Sequence, residues 1–263
     1  MCKNLRLKDF DMIYIRSLLC NICFFTMMMF GCIATLFIGP LSRKGTIYFW
    51  DRVMMPTVFF IVRHIAGLKL EYRGKENILK EPALYACKHE SALETYAFTQ
   101  PVPTCTYVLK KELVYMPFFG WTQYFYGMVP VDRKGGAKAM KNMLKGVAKI
   151  VGENRPVVVF PEGTRCKPGT TKGYKSGFLF LAENLHLKVV PVAVNTGLFW
   201  AKSSFLRYKG TAVIEFLEPM EVLPHEDKKE FMQRLEATIE AKCSELNDEA
   251  VKKYPWVKKN LGA

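Results

Sequence analysis

The residues Val157-Val158-Val159-Phe160-Pro161-Glu162-Gly163-Thr164-Arg165 decide how this chain is read. Three valines and a phenylalanine make a short apolar run of the kind that fills a buried strand. Pro161 ends the ladder and Gly163 permits a turn. Glu162, Gly163, Thr164 and Arg165 are therefore expected at the strand's carboxyl end, with Glu162 exposed. A basic loop follows, carrying Lys167, Lys172 and Lys175. Such a rim suits an anionic headgroup, and arginine can grip phosphate with two parallel hydrogen bonds. The plainer alternative is a solvated loop in which Glu162 and Arg165 pair with each other.

Upstream of that strand, residues 137–151 place apolar side chains at 137, 140, 143, 144, 147, 150 and 151, a helical spacing. Downstream, Phe231, Leu235, Ile239, Cys243 and Leu246 repeat the spacing within residues 226–249. Further strand-like runs occupy residues 68–72, 83–87, 105–109, 128–131, 189–194 and 212–216. Strands that alternate with helices predict an α/β fold: a mixed sheet flanked by helices. No repeat, low-complexity tract or linker divides residues 68–263, which read as one catalytic-sized domain.

The chain has 263 residues, half of them hydrophobic, and its 38 Lys+Arg against 24 Asp+Glu leave a formal charge of +14. So apolar a composition excludes disorder as the dominant state. A charged fraction of 24% argues against a bundle of lipid-facing helices. The basic excess predicts an anionic partner: nucleic acid, an anionic membrane or a phosphorylated substrate.

Residues 1–67 read as a membrane-anchoring helical segment. No charge occurs from Ser17 to Ser42, and residues 18–38 are almost continuously apolar, enough to span a hydrocarbon core. A second apolar piece, residues 53–62, is too short to span alone. Lys3, Arg6, Lys8 and Arg16 precede the long run, and Arg43, Lys44 and Arg52 follow it. Base on both sides satisfies neither single-span orientation. Two readings stand: a single transmembrane helix, or a re-entrant or interfacial hairpin with both ends on the cytoplasmic, anionic face. That membrane already explains the basic excess, so nucleic acid is not expected.

Eight cysteines are scattered, and Cys20 and Cys23, although spaced like zinc ligands, lie in the apolar run as filler. His64, His89, His186 and His225 form no metal-ligand spacing, and no metal is expected.

The stretch Cys87-Lys88-His89-Glu90-Ser91-Ala92-Leu93-Glu94 leaves a strand and enters a helical pattern. His89 sits at the turn, and Glu94 in the first helical turn can reach back to it. That makes a His–carboxylate dyad, in which the carboxylate fixes the imidazole tautomer and stabilises the imidazolium. Ser91-x-x-Glu94 is also a capping box, which would instead occupy Glu94 with backbone.

Together these elements resemble the glycerolipid acyltransferases of the 1-acylglycerol-3-phosphate (lysophosphatidate) acyltransferase type. His89 and Glu94 resemble the family's His-x4-Asp, with Glu for Asp. Residues 127–133, ending in Asp132-Arg133, resemble its second motif. Residues 160–165 match Phe-Pro-Glu-Gly-Thr-Arg without departure, and residues 189–194 resemble the Pro-bearing fourth motif. The segment Lys110-Lys111-Glu112-Leu113 is likewise familiar, and order and spacing agree over residues 65–220.

The resemblance implies a glycerol-3-phosphate acyltransferase-like fold and acyl transfer from acyl-CoA or an acyl carrier protein to the sn-2 hydroxyl of lysophosphatidic acid. It implies His89 as general base, Glu94 as its partner, and no cofactor. Arg133, Arg165 and Lys110 would hold the acceptor phosphate, while Glu162 would bind the glycerol hydroxyl or order Arg165. It also implies a bacterial inner membrane with the catalytic domain on the cytoplasmic face. Two rival functions keep the membrane: an acyltransferase for another lysolipid, such as a lyso-ornithine lipid, and a non-catalytic lipid-binding protein.

Overall fold

The computed structural model describes residues 2–221 and 226–262; His225 and the side chains of Lys3, Arg6 and Lys8 lie outside them. Seven strands form one sheet in the order β1-β7-β6-β2-β5-β3-β4. They are β1 (Leu68–Arg73), β2 (Leu84–Cys87), β3 (Thr106–Lys110), β4 (Val129–Val131), β5 (Val157–Val159), β6 (Val189–Val194) and β7 (Gly210–Phe216). All seven coincide with apolar runs expected from the sequence. Every pairing is parallel except β6 with β7, so the sheet is mixed.

β2 is the central strand and is buried on both faces. Its side chains alternate, as a strand's must. Leu84 and Ala86 join the core under the helices α6 (Gly136–Gly152), α7 (Gly177–Asn184) and α9 (Lys228–Lys253). Tyr85 and Cys87 join the opposite core with Phe98, Val192 and Phe216. α6 and α9 form where residues 137–151 and 226–249 predict them, and α9 opens on a capping box between Asp227 and Glu230.

The N-terminal helices form a hairpin. α1 (Cys2–Ile38) runs to a turn at residues 39–42, where Ser42 caps α2 (Arg43–Tyr48). π-type turns at Phe49–Met54 and Val62–Ala66 flank α3 (Met55–Ile61), and the limb ends at Gly67, whose φ of +69° only glycine adopts freely. The limbs pack closely: a Cβ on Gly31 would lie 2.8 Å from Trp50 and Met54. The Trp50 indole N–H donates to Thr35 Oγ1 at 2.9 Å.

One stripe of α1 (Ser17, Cys20, Phe24, Cys32, Thr35) is buried. Cys20 and Phe24 pack with Leu198, Phe199 and Trp200 of the sheet domain. The opposite stripe (Leu18, Ile22, Phe25, Met29, Ile33, Phe37) is exposed although wholly apolar. Residues 12–38 are long and apolar enough to cross a membrane and compatible with membrane association. Arg16 ties the two limbs together by donating to the Ile65 carbonyl, and Asn21 ties α1 to the sheet domain by donating to that of Phe205.

Seven cysteines, Cys20 and Cys23 included, are free thiols. Among the described residues no group of three His, Cys, Asp or Glu could hold a metal ion.

Candidate active site

The site forms where β2 and β5, parallel neighbours with Ala86 opposite Val159, run out of sheet. Ligands gather beyond the carboxyl ends of parallel strands because the chain there is free to form loops. The loop after β5 folds back over His89 and holds its backbone at both ends. His89 N–H donates to Glu162 Oε2 at 3.1 Å, and Cys166 N–H donates to the His89 carbonyl at 2.8 Å. Phe160 stacks on the imidazole, centroids 3.8 Å apart and planes 17° apart.

Glu94 lies in the first turn of the short helix α4 (Leu93–Ala97) and is fully buried. Its Oε1 is 2.8 Å from His89 Nδ1 and also accepts the N–H groups of Glu90 (2.9 Å) and Ser91 (2.7 Å). Its Oε2 accepts the Thr196 hydroxyl at 2.6 Å, from the start of α8 (Thr196–Phe199). The two sequence readings thus coexist in one carboxylate, which bonds the backbone ahead of the helix and the imidazole together. Ser91 Oγ accepts from Leu93 N–H, two residues on, so the capping box is only half formed. An acceptor at Nδ1 assigns the proton to that nitrogen. Nε2 has no protein partner among the described residues.

His89 lines a cleft of about 750 Å³. Lys110, Arg133, Gly163 and Arg165 line it too. Its remaining wall is largely apolar, with Phe24, Phe25 and Met28 from α1, Leu113 and Phe119 beyond β3, and Trp200. Arg133 is exposed and Arg165 half-buried, and neither has an ion-pair partner among the described residues. Lys110 lies 3.4 Å from Glu112 in an exposed pair.

Two expected positions differ. Thr164 does not line the cleft. Glu162 is buried at 2% exposure rather than presented to solvent. Its Oε1 accepts from Lys88 Nζ at 2.8 Å and its Oε2 from the His89 N–H, so both oxygens are engaged, and it makes no ion pair with Arg165 among the described residues. Pro161 ends the strand as expected, but the loop then curls inward because a buried cation waits there. Lys88 Nζ also donates to Glu240 of α9 at 2.7 Å and to the Thr170 carbonyl at 2.7 Å. Burial works against that charge, yet the two carboxylates outweigh it and hold the Lys88 pKa above the ordinary lysine value.

Glu90 faces inward as well. Its Oε2 accepts Gly197 N–H at 3.0 Å, and Oε1 has no partner. Burial pushes its pKa well above the usual carboxylate range, more than the Gly197 bond offsets, with the Glu94 charge adding to the rise.

Lys88, Glu90, Thr196 and the buried Arg207, which also lines the cleft, had not been singled out. Lys88 and Glu90 flank His89, and that was their only signal. Thr196 and Arg207 carry none.

A His–carboxylate pair at the strand ends of a mixed sheet, beside an apolar cleft rimmed by guanidinium groups, is the equipment of an acyltransferase. Residues 69–195 match the family model described as Acyltransferase. A 1-acyl-sn-glycerol-3-phosphate acyltransferase of Pseudomonas aeruginosa is 32% identical over 190 residues, spanning 72% of this chain and 74% of that protein. Its namesake from Saccharomyces cerevisiae is 28% identical over 211 residues, 79% of this chain and 69% of its own. A crystal structure of the 1-acyl-sn-glycerophosphate (LPA) acyltransferase PlsC of Thermotoga maritima superposes with a TM-score of 0.71 at 20% identity, covering 88% of this chain and 97% of that one. The chain belongs to the 1-acyl-sn-glycerol-3-phosphate acyltransferase family and is an enzyme.

Proposed function

We propose that the enzyme moves a fatty acyl chain from a thioester, acyl-CoA or an acyl carrier protein, to the sn-2 hydroxyl of lysophosphatidic acid. The observation that carries this reading is His89, bonded through Nδ1 to buried Glu94, facing a cleft that Arg133 and Arg165 share. The relatives named above support the acceptor.

His89 Nε2 takes the proton of the acceptor hydroxyl as its oxygen attacks the thioester carbonyl carbon. The charge that develops on the imidazole is met by Glu94. The tetrahedral intermediate expels the thiolate, which takes the proton back from His89. The C–S bond breaks, the C–O bond forms, and His89 returns to its starting state. No acyl-enzyme arises, so neither Ser91 nor a cysteine acts as nucleophile. Arg133 and Arg165, with Lys110 at the rim, hold the acceptor phosphate and so place its hydroxyl beside Nε2. Glu162 acts at one remove, by fixing the backbone of His89.

The exposed apolar stripe of α1 lies in the lipid interface, and the hairpin returns both of its ends to one side. In this reading the catalytic domain works on the cytoplasmic face of the inner membrane, and the lipid acceptor enters along the hairpin.

The test is acceptor selectivity in mixed micelles. Wild type acylates lysophosphatidic acid in preference to lysophosphatidylcholine or a lyso-ornithine lipid. Arg165→Ala raises KM for lysophosphatidic acid about tenfold or more, the scale of a lost charge-assisted contact. Equal rates on all three acceptors, or an unchanged KM, would overturn the reading.

A further inference from the structure

Glu90, in the turn after β2, and Glu94, on α4, are both fully buried, and two adjacent residues beyond β6 bond them. Thr196 donates its hydroxyl to Glu94 Oε2 at 2.6 Å, and Gly197 donates its backbone N–H to Glu90 Oε2 at 3.0 Å. Like charges side by side in a place shut off from solvent oppose each other, so one of the two carboxylates keeps a proton. The donors decide which. Glu94 receives three besides the imidazole: the N–H groups of Glu90 and Ser91 on Oε1, and the Thr196 hydroxyl on Oε2. Glu90 receives one, and its Oε1 is buried with none. Hydrogen bonds to a carboxylate favour its charged form, so the charge belongs on Glu94 and the proton on Glu90.

Among the described residues Thr196 is the one partner of Glu94 Oε2, and the fold fixes it firmly. The side chain of Asn195, just before it, is bonded at both ends. Its Oδ1 accepts the Val213 N–H at 2.7 Å, and its Nδ2 donates to the Leu246 carbonyl at 3.0 Å, which pins the end of β6 to β7 and α9. The Thr196 carbonyl accepts the Trp200 N–H at 3.0 Å. Gly197 lets the backbone come close, since a Cβ there would fall 2.8 Å from Glu90 Cβ and 2.7 Å from Pro168 Cγ. Thr196 is fully buried, so no solvent stands ready to replace its hydroxyl, and the nearby Ser91 Oγ is already engaged by the Leu93 N–H. Neither Glu94 nor Thr196 lines the cleft that His89 shares with α1 and α5 (Phe119–Tyr126), so Thr196 acts on a substrate only through the dyad.

We propose that Thr196 is a positioning residue for acyl transfer: its hydroxyl keeps the charge on Glu94 rather than Glu90 and aims Oε1 at His89 Nδ1. The inference rests on the dyad reading above and adds a third member to it. Without that hydroxyl, Oε2 is a buried carboxylate oxygen with nothing to hold it. The carboxylate then turns about its flat terminal torsion, or takes the proton that Glu90 carries and leaves the charge there. In either case the imidazolium that forms during transfer loses the charge that meets it.

The test compares Thr196→Val, Thr196→Ser and Thr196→Ala in the full-length enzyme, assayed with lysophosphatidic acid and acyl-CoA. Thr196→Val keeps the shape and loses the donor. Its kcat falls about tenfold or more, the scale of a hydrogen bond to a charged group, while both KM values and the melting temperature stay close to wild type. Thr196→Ser keeps the donor and stays within about threefold of wild type. With Glu94→Gln already in place, Thr196→Val costs less than about twofold, because the two residues act as one unit. Ser and Ala at this position both lack the methyl group and differ in the hydroxyl alone, so their kcat ratio, again about tenfold, reads the same effect if the valine variant does not fold. Equal kcat for the serine and alanine variants, a valine variant as active as wild type, or an undiminished valine loss beside Glu94→Gln would each overturn the proposal. Near-normal turnover by Glu94→Gln alone would instead overturn the dyad reading on which it rests.

Discussion

Lys88 Nζ lies 2.8 Å from Glu162 Oε1 with both side chains shut off from solvent, while Glu162 Oε2 receives the backbone N–H of the catalytic candidate His89. One buried ion pair therefore sets where the imidazole stands. It clamps the loop after β5 onto the turn after β2, and through Glu240 it ties both to α9.

Removing one member of a buried pair leaves the other charged and uncompensated, at a cost of about 3–5 kcal/mol. Lys88→Met lowers stability by that order in urea unfolding of the detergent-solubilised enzyme. Adding Glu162→Gln to it recovers more than half of the loss. Additive losses in the double variant would show that the two residues are not coupled.

Glu94→Gln keeps the shape and an acceptor oxygen for His89 Nδ1 but removes the charge that offsets the imidazolium. Turnover falls by about 100-fold or more while the melting temperature stays within a few degrees of wild type. Near-normal turnover would reduce Glu94 to its backbone bonds with Glu90 and Ser91.

Glu90 gives the fold a pH dependence. Its pKa is raised in the folded state, so it keeps its proton where the unfolded chain has lost it. Its contribution is complete below the ordinary carboxylate range and is lost as pH rises above about 4.5 toward the folded value. Glu90→Gln abolishes that loss, because an amide never ionises. The variant gains stability over wild type between pH 5 and pH 8, by at most about 1.4 kcal/mol per pH unit. Parallel stability–pH curves for the two proteins would contradict this.

The outward stripe of α1 gives a membrane prediction. Phe25→Glu/Phe37→Glu, at positions 63% and 72% exposed, releases the protein from anionic vesicles in a flotation assay and leaves its melting temperature unchanged in detergent. Full retention on the vesicles would move the membrane contact elsewhere.

Much of this was legible in the sequence because the signals are local. Seven apolar runs become seven strands, and the apolar period of residues 137–151 becomes α6. Pro161 and Gly163 mark a real turn. The inward course of Glu162 was not legible, since its partner stands 74 residues away and the next carboxylate, Glu240, a further stretch beyond. Thr196 reaches Glu94 across 102 residues for the same reason. α4, with five residues, and α8, with four and all of them buried, are too short to leave a stripe to read. The hairpin was one of two readings because charge on both flanks says where the ends lie, not what the limbs pack on. Its buried stripe of Ser17, Cys20 and Phe24 became visible only once Trp200 was beside it.

The central claim is that His89 is the base for acyl transfer to a lysolipid phosphate. Phosphatidic acid formation should be followed from lysophosphatidic acid and acyl-CoA, with wild type beside a His89→Ala variant shown by melting temperature to be folded. The account predicts product from the wild type and a fall of at least 1,000-fold in the variant. A folded His89→Ala enzyme that retains a tenth of wild-type turnover would contradict it.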